Sequence, residues 1–252
     1  MKRNPLDYLE PKAADLVKTI GKLAHEQGMR AYLVGGPVRD LLLKISNVDL
    51  DIAVEGDGMR LAQRFAEGHP GWTVTRYPAF KTATVRRTDG SLVDFATARK
   101  ERYARGGAFP EVTAAGLKED LFRRDFTINA MALSLDPAQW GKLIDPHGGL
   151  EDLKRKRLRV LHEQSFVDDP TRILRAARFK ARLRFKMEAE TLKLLKGAVR
   201  MKVLETIKPQ RYLKDFNKIL KEPCAQEAVR CLKAWDAYRP NGGPKAVPLR
   251  RV

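Results

Sequence analysis

Apolar residues recur at helical spacing over residues 12–27, at Ala13, Leu16, Ile20, Leu23 and Ala24, and Gly28 stands where that helix would stop. The period then changes. Ala31-Tyr32-Leu33-Val34 reads as a short buried strand, and Gly35-Gly36-Pro37 turns the chain into a helix over residues 38–43. Residues 48–54 alternate acidic or small residues with apolar ones, as a strand with two distinct faces does. Residues 59–67 are helical. Residues 72–77, 82–87 and 92–95 are three further strands, with Asp89-Gly90 as the hairpin turn between the last two. Together these elements predict an α+β unit built on one mixed sheet of about five strands.

From about residue 117 strand signals nearly vanish. Helical spacing over residues 127–135, 169–184, 189–199, 210–220 and 225–234 predicts an all-helical second half. The expected organisation is a sheet-bearing unit over residues 1–150, a helical unit over 151–238 and a flexible basic tail, rich in Pro and Gly, over 239–252. Residues 96–103 with Gly106-Gly107 read as a polar, mobile connector.

Charge adds a partner to this picture. Lys and Arg number 49 against 31 Asp and Glu, so 49 − 31 gives +18 over 252 residues. An excess of that size points to a polyanion, nucleic acid first. Apolar runs long enough to span a membrane are absent from the sequence, and the N-terminus leads into a polar helix rather than an apolar leader. Two cysteines, Cys224 and Cys231, are too few for a disulfide framework or a four-ligand zinc site. A cytoplasmic setting is expected.

The chemistry gathers at two aspartates. Asp49 and Asp51 stand two apart on a strand, so their side chains leave one face about 6–7 Å apart. Neighbouring carboxylates repel unless a cation neutralises them, and Mg2+ prefers hard oxygen ligands while leaving positions for phosphate oxygens. Gly35 and Gly36 open a helix whose unpaired N–H groups can hold a triphosphate, with Arg39 in its first turn. Asp94, on a later strand, is either a third carboxylate of the same group or a structural partner for an arginine.

Val34-Gly35-Gly36-Pro37-Val38-Arg39-Asp40, followed by Asp49-Leu50-Asp51, resembles the signature of the polymerase-beta-like nucleotidyltransferases. More narrowly it is similar to the bacterial-type (class II) tRNA CCA-adding enzymes and their poly(A) polymerase relatives. Three further segments continue the resemblance in order: Arg123-Arg124-Asp125-Phe126-Thr127-Ile128-Asn129-Ala130, Asp145-Pro146-His147-Gly148-Gly149, and Asp168-Asp169-Pro170-Thr171-Arg172 through Phe179. Asp168 stands where the family usually has Glu, and Gln210 and Asp215 also stand where its members usually carry Glu.

The resemblance implies a nucleotidyltransferase head followed by a helical neck, and an enzyme that extends the 3′ end of tRNA with C and A from CTP and ATP, releasing pyrophosphate. By the same resemblance Asp49 and Asp51 hold Mg2+; Asp94 stays a candidate third catalytic carboxylate, with the structural role as its alternative. Gly35, Gly36 and Arg39 hold phosphates, Arg124 contacts the nucleotide and Asp125 the ribose. Asp169 and Arg172 meet the base edge, with Arg175 and Arg178 towards the rest of the nucleotide. On a helix the stripe from Asp169 to Arg178 spans about 13 Å and winds half a turn, so its ends cannot face the same atoms. Rival readings are a poly(A) polymerase, an enzyme adding only CC or only A (which a chain stopping at the neck suggests), and a silent RNA-binding protein on the same fold.

Overall fold

A computed structural model describes residues 4–45 and 49–240. By its internal contacts the chain divides into two compact units, Met1–Glu101 with Val112–Leu150, and Arg102–Glu111 with Glu151–Val252.

In the first unit the elements run α1 (Pro11–Glu26), β1 (Arg30–Val34), α2 (Gly36–Leu42), β2 (Leu50–Glu55), α3 (Gly58–Glu67), β3 (Trp72–Tyr77), β4 (Thr82–Arg87) and β5 (Leu92–Thr97). Then come the short ribbon strands β6 (Arg99–Arg102) and β7 (Glu111–Ala114), helix α4 (Leu117–Phe122), and strands β8 (Ala132–Ser134) and β9 (Leu143–Ile144). The main sheet has seven strands rather than about five, in the order β3-β4-β5-β2-β1-β8-β9. It is mixed because β2 and β5 pair in parallel while the other neighbours are antiparallel.

One of the two added strands, β8, comes from a segment whose pattern predicts a helix; the other, β9, lies where no element is predicted. Residues 127–135 form a single 3-10 turn, Thr127–Asn129, and then β8. Met131, Ala132, Leu133 and Leu135 are all fully buried, so the strand is covered on both faces and shows no alternation. A continuous apolar run of that kind does not separate helix from strand. The expected mobile connector is also extended backbone in part, since β5 runs to Thr97 and residues 99–102 form β6. The Asp89-Gly90 turn is as predicted: Gly90 takes φ +88°, and Asp89 Oδ1 accepts from the Ser91 N–H at 2.9 Å.

The second unit holds α6 (Ser165–Asp168), α7 (Thr171–Leu183), α8 (Ala189–Arg200), α9 (Pro209–Leu220) and α10 (Ala225–Ala234), after α5 (Gly149–Lys154). Trp235, Phe216, Ile219 and Leu232 are buried in it, as Trp72, Phe65 and Phe95 are buried in the first unit. Most of the expected tail, residues 241–252, lies outside the described residues.

Helix α1 closes on the sheet through a glycine. A Cβ on Gly21 would overlap the backbone carbonyl oxygen of Leu135. Alanine at this position gains about 1 kcal/mol of helix propensity but forces backbone apart in a packed core. Gly21→Ala is therefore expected to destabilise the chain by about 1–3 kcal/mol, read as a lower urea midpoint. An unchanged or raised midpoint would show that the helix can shift outward freely.

Candidate active site

Strand pairing builds one acidic edge. In the parallel register Asp51 is the partner of Asp94, and across the next antiparallel pair Asp94 faces Thr84. The Thr84 hydroxyl donates to Asp94 Oδ1 at 2.5 Å, which fixes that carboxylate. Asp51, Asp94 and Thr84 line a cavity of about 350 Å³ together with Val34, Tyr77 and Arg124. Asp49 lies one residue before β2 and is exposed; Val48, expected to start that strand, lies outside the described residues. Asp94 thus sits beside Asp51, and its side-chain partner is a threonine hydroxyl.

The Gly35 turn stands over that edge. Gly35 adopts φ +76°, which favours glycine, and a Cβ there would come within 2.7 Å of Arg124 Nη1 and 3.8 Å of Asp51 Oδ2. A side chain at position 35 would therefore displace the arginine from the carboxylate edge. Gly36 opens α2 with Pro37 behind it, so the Gly36 and Val38 amides are free of helical partners.

Arg124 is held in place by a buried carboxylate. Asp120, on α4, is fully buried; its Oδ2 accepts from Arg124 Nη2 at 2.9 Å and its Oδ1 from Arg123 Nη2 at 2.8 Å. Arg123 also donates to Glu101 at 3.0 Å, and Arg99 reaches the same Glu101 oxygen at 3.3 Å. Three guanidiniums against two carboxylates, 3 − 2, leave one net positive charge beside the acidic edge. Burial alone would raise the Asp120 carboxyl, but the adjacent Arg124 and Arg123 outweigh it and keep it below the ordinary aspartate range. Asp120 and Arg124 are four apart, a helical pairing readable from sequence; the depth of its burial is not.

Arg39 and Asp125 lie inside the unit. Arg39 is 3% exposed, donating to Asp40 Oδ1 at 2.8 Å and to Asn129 Oδ1 at 2.6 Å. Asn129 in turn donates to Asp125 Oδ1 at 2.9 Å, and that oxygen also accepts from the Phe126 N–H. The structure thus uses Arg39 to tie the glycine turn to the segment carrying Arg124 and Asp125.

The second unit carries the other predicted residues, and it does not gather all four. Asp169 precedes α7 instead of lying on it. Its Oδ1 accepts from the Thr171 N–H at 3.0 Å, the Thr171 hydroxyl at 2.7 Å and Arg211 Nη2 at 3.0 Å. All three bonds converge on one oxygen. Arg172 is 4% exposed and donates to the Ser165 hydroxyl at 2.6 Å, while Arg178 pairs with Glu222 at 2.7 Å. Asp169 and Arg175 line a cavity of about 700 Å³ with Arg211, Lys208 and Lys214. Missed in the sequence were Thr84, Tyr77, Ser165 and Arg211, whose roles depend on register and packing.

A mixed sheet with a glycine turn set against an aspartate edge is the architecture of a nucleotidyltransferase head. The chain belongs to the poly A polymerase head domain family, whose model matches residues 31–159. It is 49% identical over 212 residues to the A-adding tRNA nucleotidyltransferase of Aquifex aeolicus, covering 84% of this chain and 25% of that protein. To the CC-adding tRNA nucleotidyltransferase of Deinococcus radiodurans it is 40% identical over 207 residues, 81% of this chain and 54% of the relative. Among solved structures, the Thermotoga maritima CCA-adding enzyme complexed with tRNA aligns at TM-score 0.80 and 40% identity, over 94% of this chain and 56% of that one. The chain thus spans between a quarter and somewhat over half the length of these relatives.

The Asp120 anchor is testable through pH. Its folded carboxyl titrates below the unfolded one, so its contribution is complete above the ordinary value of about 3.9 and is lost as pH falls through the lower folded value. Asp120→Asn is expected to cost about 3 kcal/mol near neutrality by leaving two half-buried guanidiniums without their carboxylate, and less as pH drops from 5 to 3. Urea unfolding of both forms across that range checks it; a deficit independent of pH would contradict the assignment.

Proposed function

We propose that this chain is the catalytic part of a template-independent tRNA nucleotidyltransferase, which adds C and/or A to the 3′ acceptor end from CTP and ATP with release of pyrophosphate. The observation that carries the reading is the in-register Asp51–Asp94 pair beside the Gly35 turn and the anchored Arg124. Relatives named for adding A or CC to tRNA, and a solved relative in complex with tRNA, support the substrate class. So does the net charge of +18, which suits an RNA backbone. Residues 1–150, apart from the 102–111 segment that packs with the helical unit, act as the catalytic head and residues 151–238 as a helical neck; of the expected basic tail 239–252, Arg239 is packed against Tyr212. The setting is cytoplasmic; among the described residues no helix is long and apolar enough to cross a membrane.

The residues present fit a divalent ion. The acidic edge offers only hard oxygen donors; among the described residues no group of three or more His, Cys, Asp or Glu is placed to hold a metal ion, so a cation here would rest on two aspartates and its substrate. Two aspartates with open positions for phosphate and hydroxyl oxygens match what Mg2+ takes in phosphoryl transfer. Asp49 and Asp51 would hold it. When bound, it screens the triphosphate charge and lowers the pKa of the primer hydroxyl.

The chain's own groups do the rest. The amides opening α2 and the Arg124 guanidinium hold the triphosphate in line with the primer. Asp94, oriented by Thr84, faces the attacking 3′-hydroxyl and draws its proton. The primer oxygen bonds to the α-phosphorus as the bond to the β-phosphate oxygen breaks, and pyrophosphate leaves. In the second unit Asp169 presents Oδ2, which accepts no hydrogen bond among the described residues, to an exocyclic amino group such as adenine and cytosine both carry. Arg172, bonded to Ser165, steadies the turn that aims it. Exclusive A addition is the narrower reading that the 49% identity to an A-adding relative favours.

Incubating the chain with ATP, CTP or both, on tRNA lacking CCA or ending in C or CC, tests this, with products sequenced. Extension of a CC-ended primer by a single A is the expected outcome; long A tracts would make the chain a poly(A) polymerase, and no extension of any primer would overturn the reading. Asp51→Asn is expected to slow incorporation by about 10³-fold, the several kcal/mol of charge stabilisation it removes, at an unchanged melting temperature.

A further inference from the structure

Residues Arg102–Glu111 leave the sheet unit in sequence but pack with the helical one, and their seating is tight. Gly107 takes φ +75°, and a Cβ there would overlap the Thr206 hydroxyl; a Cβ on Gly106 would come within 2.8 Å of the Val167 carbonyl oxygen. The Gly107 N–H donates to the Asp168 carbonyl at 3.2 Å, and the Ala108 N–H to that of Arg105 at 3.1 Å. Immediately after this pinned turn comes Phe109, 67% exposed. An exposed phenyl ring on a loose loop needs no explanation, but one displayed on a turn with no room to relax inward does.

One side of that ring is already occupied. The Arg211 guanidinium lies 5.2 Å from its centroid, and is fixed by the Gly107 carbonyl at 2.9 Å and by Asp169 Oδ1 at 3.0 Å. The ring borders the 700 Å³ cavity that also contains Asp169, and Arg105, Arg175, Lys208, Lys214 and Lys218 line its walls. A flat apolar face among cations, next to a carboxylate oxygen that accepts from amino groups, matches the chemistry of an unpaired nucleobase with its phosphates. A peptide partner would leave the row of positive charges uncompensated.

We infer that Phe109, backed by Arg211, is a stacking platform for one nucleobase in the cavity of the second unit. This rests on the proposed function in that Asp169 faces the same cavity. The base comes either from the incoming ribonucleotide or from the single-stranded 3′ tail of the RNA. Phe109 sets the plane in which the base lies, and Asp169 meets its edge.

Equilibrium binding of ATP, of CTP and of a short oligoribonucleotide ending in CC separates the two sources. In the full chain, Phe109→Ala is expected to weaken one class of probe by about 5- to 150-fold, the range that base–aromatic stacking spans. Phe109→Trp restores that binding, and its added fluorescence is quenched by the same probe. Weakening confined to nucleotides assigns the platform to the incoming base, and weakening confined to the oligonucleotide assigns it to the tail. Unchanged binding of all three probes by Phe109→Ala, or no binding of any probe by the unaltered chain, overturns the inference. A chain that binds through Phe109 yet extends no primer keeps the platform and removes the polymerisation reading.

Discussion

Parallel pairing of β2 with β5 is the constraint on which the head site depends. It places Asp51 level with Asp94, and the antiparallel pairing of β4 then brings Thr84 to the second carboxylate. A slip of one residue in either pair would turn an aspartate into the core and an apolar neighbour such as Val93 or Phe95 towards solvent. Both neighbours are fully buried. Hydrophobic burial on one face therefore enforces the approach of like charges on the other, a repulsion that a bound cation relieves.

The second constraint is electrostatic and lies deeper. A fully buried aspartate is costly unless paired, and Asp120 is paired twice, with Arg123 and Arg124. What this arrangement supplies is a guanidinium held in one place beside the Gly35 turn. Gly35 has to be glycine for the same reason: its missing Cβ is the space Arg124 fills. Arg39, Asn129 and Asp125 form a parallel brace inside the unit, tying α2 to the segment that carries Arg124.

Much of this was legible in the chain before its fold. Alternation marks β2 and its Asp51, the glycine pair marks the start of α2, and two residues, Asp89-Gly90, mark the hairpin turn. The family resemblance pointed to the same nucleotidyltransferase head. The failures share one cause, which is that burial on all sides erases periodicity. Strand β8 reads as a helix because Met131–Leu135 is buried throughout, Ser134 included. The burial of Arg39 and Arg172, bonded to Asn129 and Ser165, likewise leaves no mark in the sequence. Phe109 carries no local signal, since only the packing of Gly106 and Gly107 shows that its exposure is imposed.

A divalent ion gathered by carboxylates at the β2–β5 edge is the central claim, and it can be measured without turnover. Electron paramagnetic resonance counts the Mn2+ bound by the chain in the presence of a non-hydrolysable ATP analogue. The account predicts at least one bound ion in the unaltered chain, lost when Asp49 and Asp51 are both replaced by Asn. Equal Mn2+ occupancy in the two forms would contradict it.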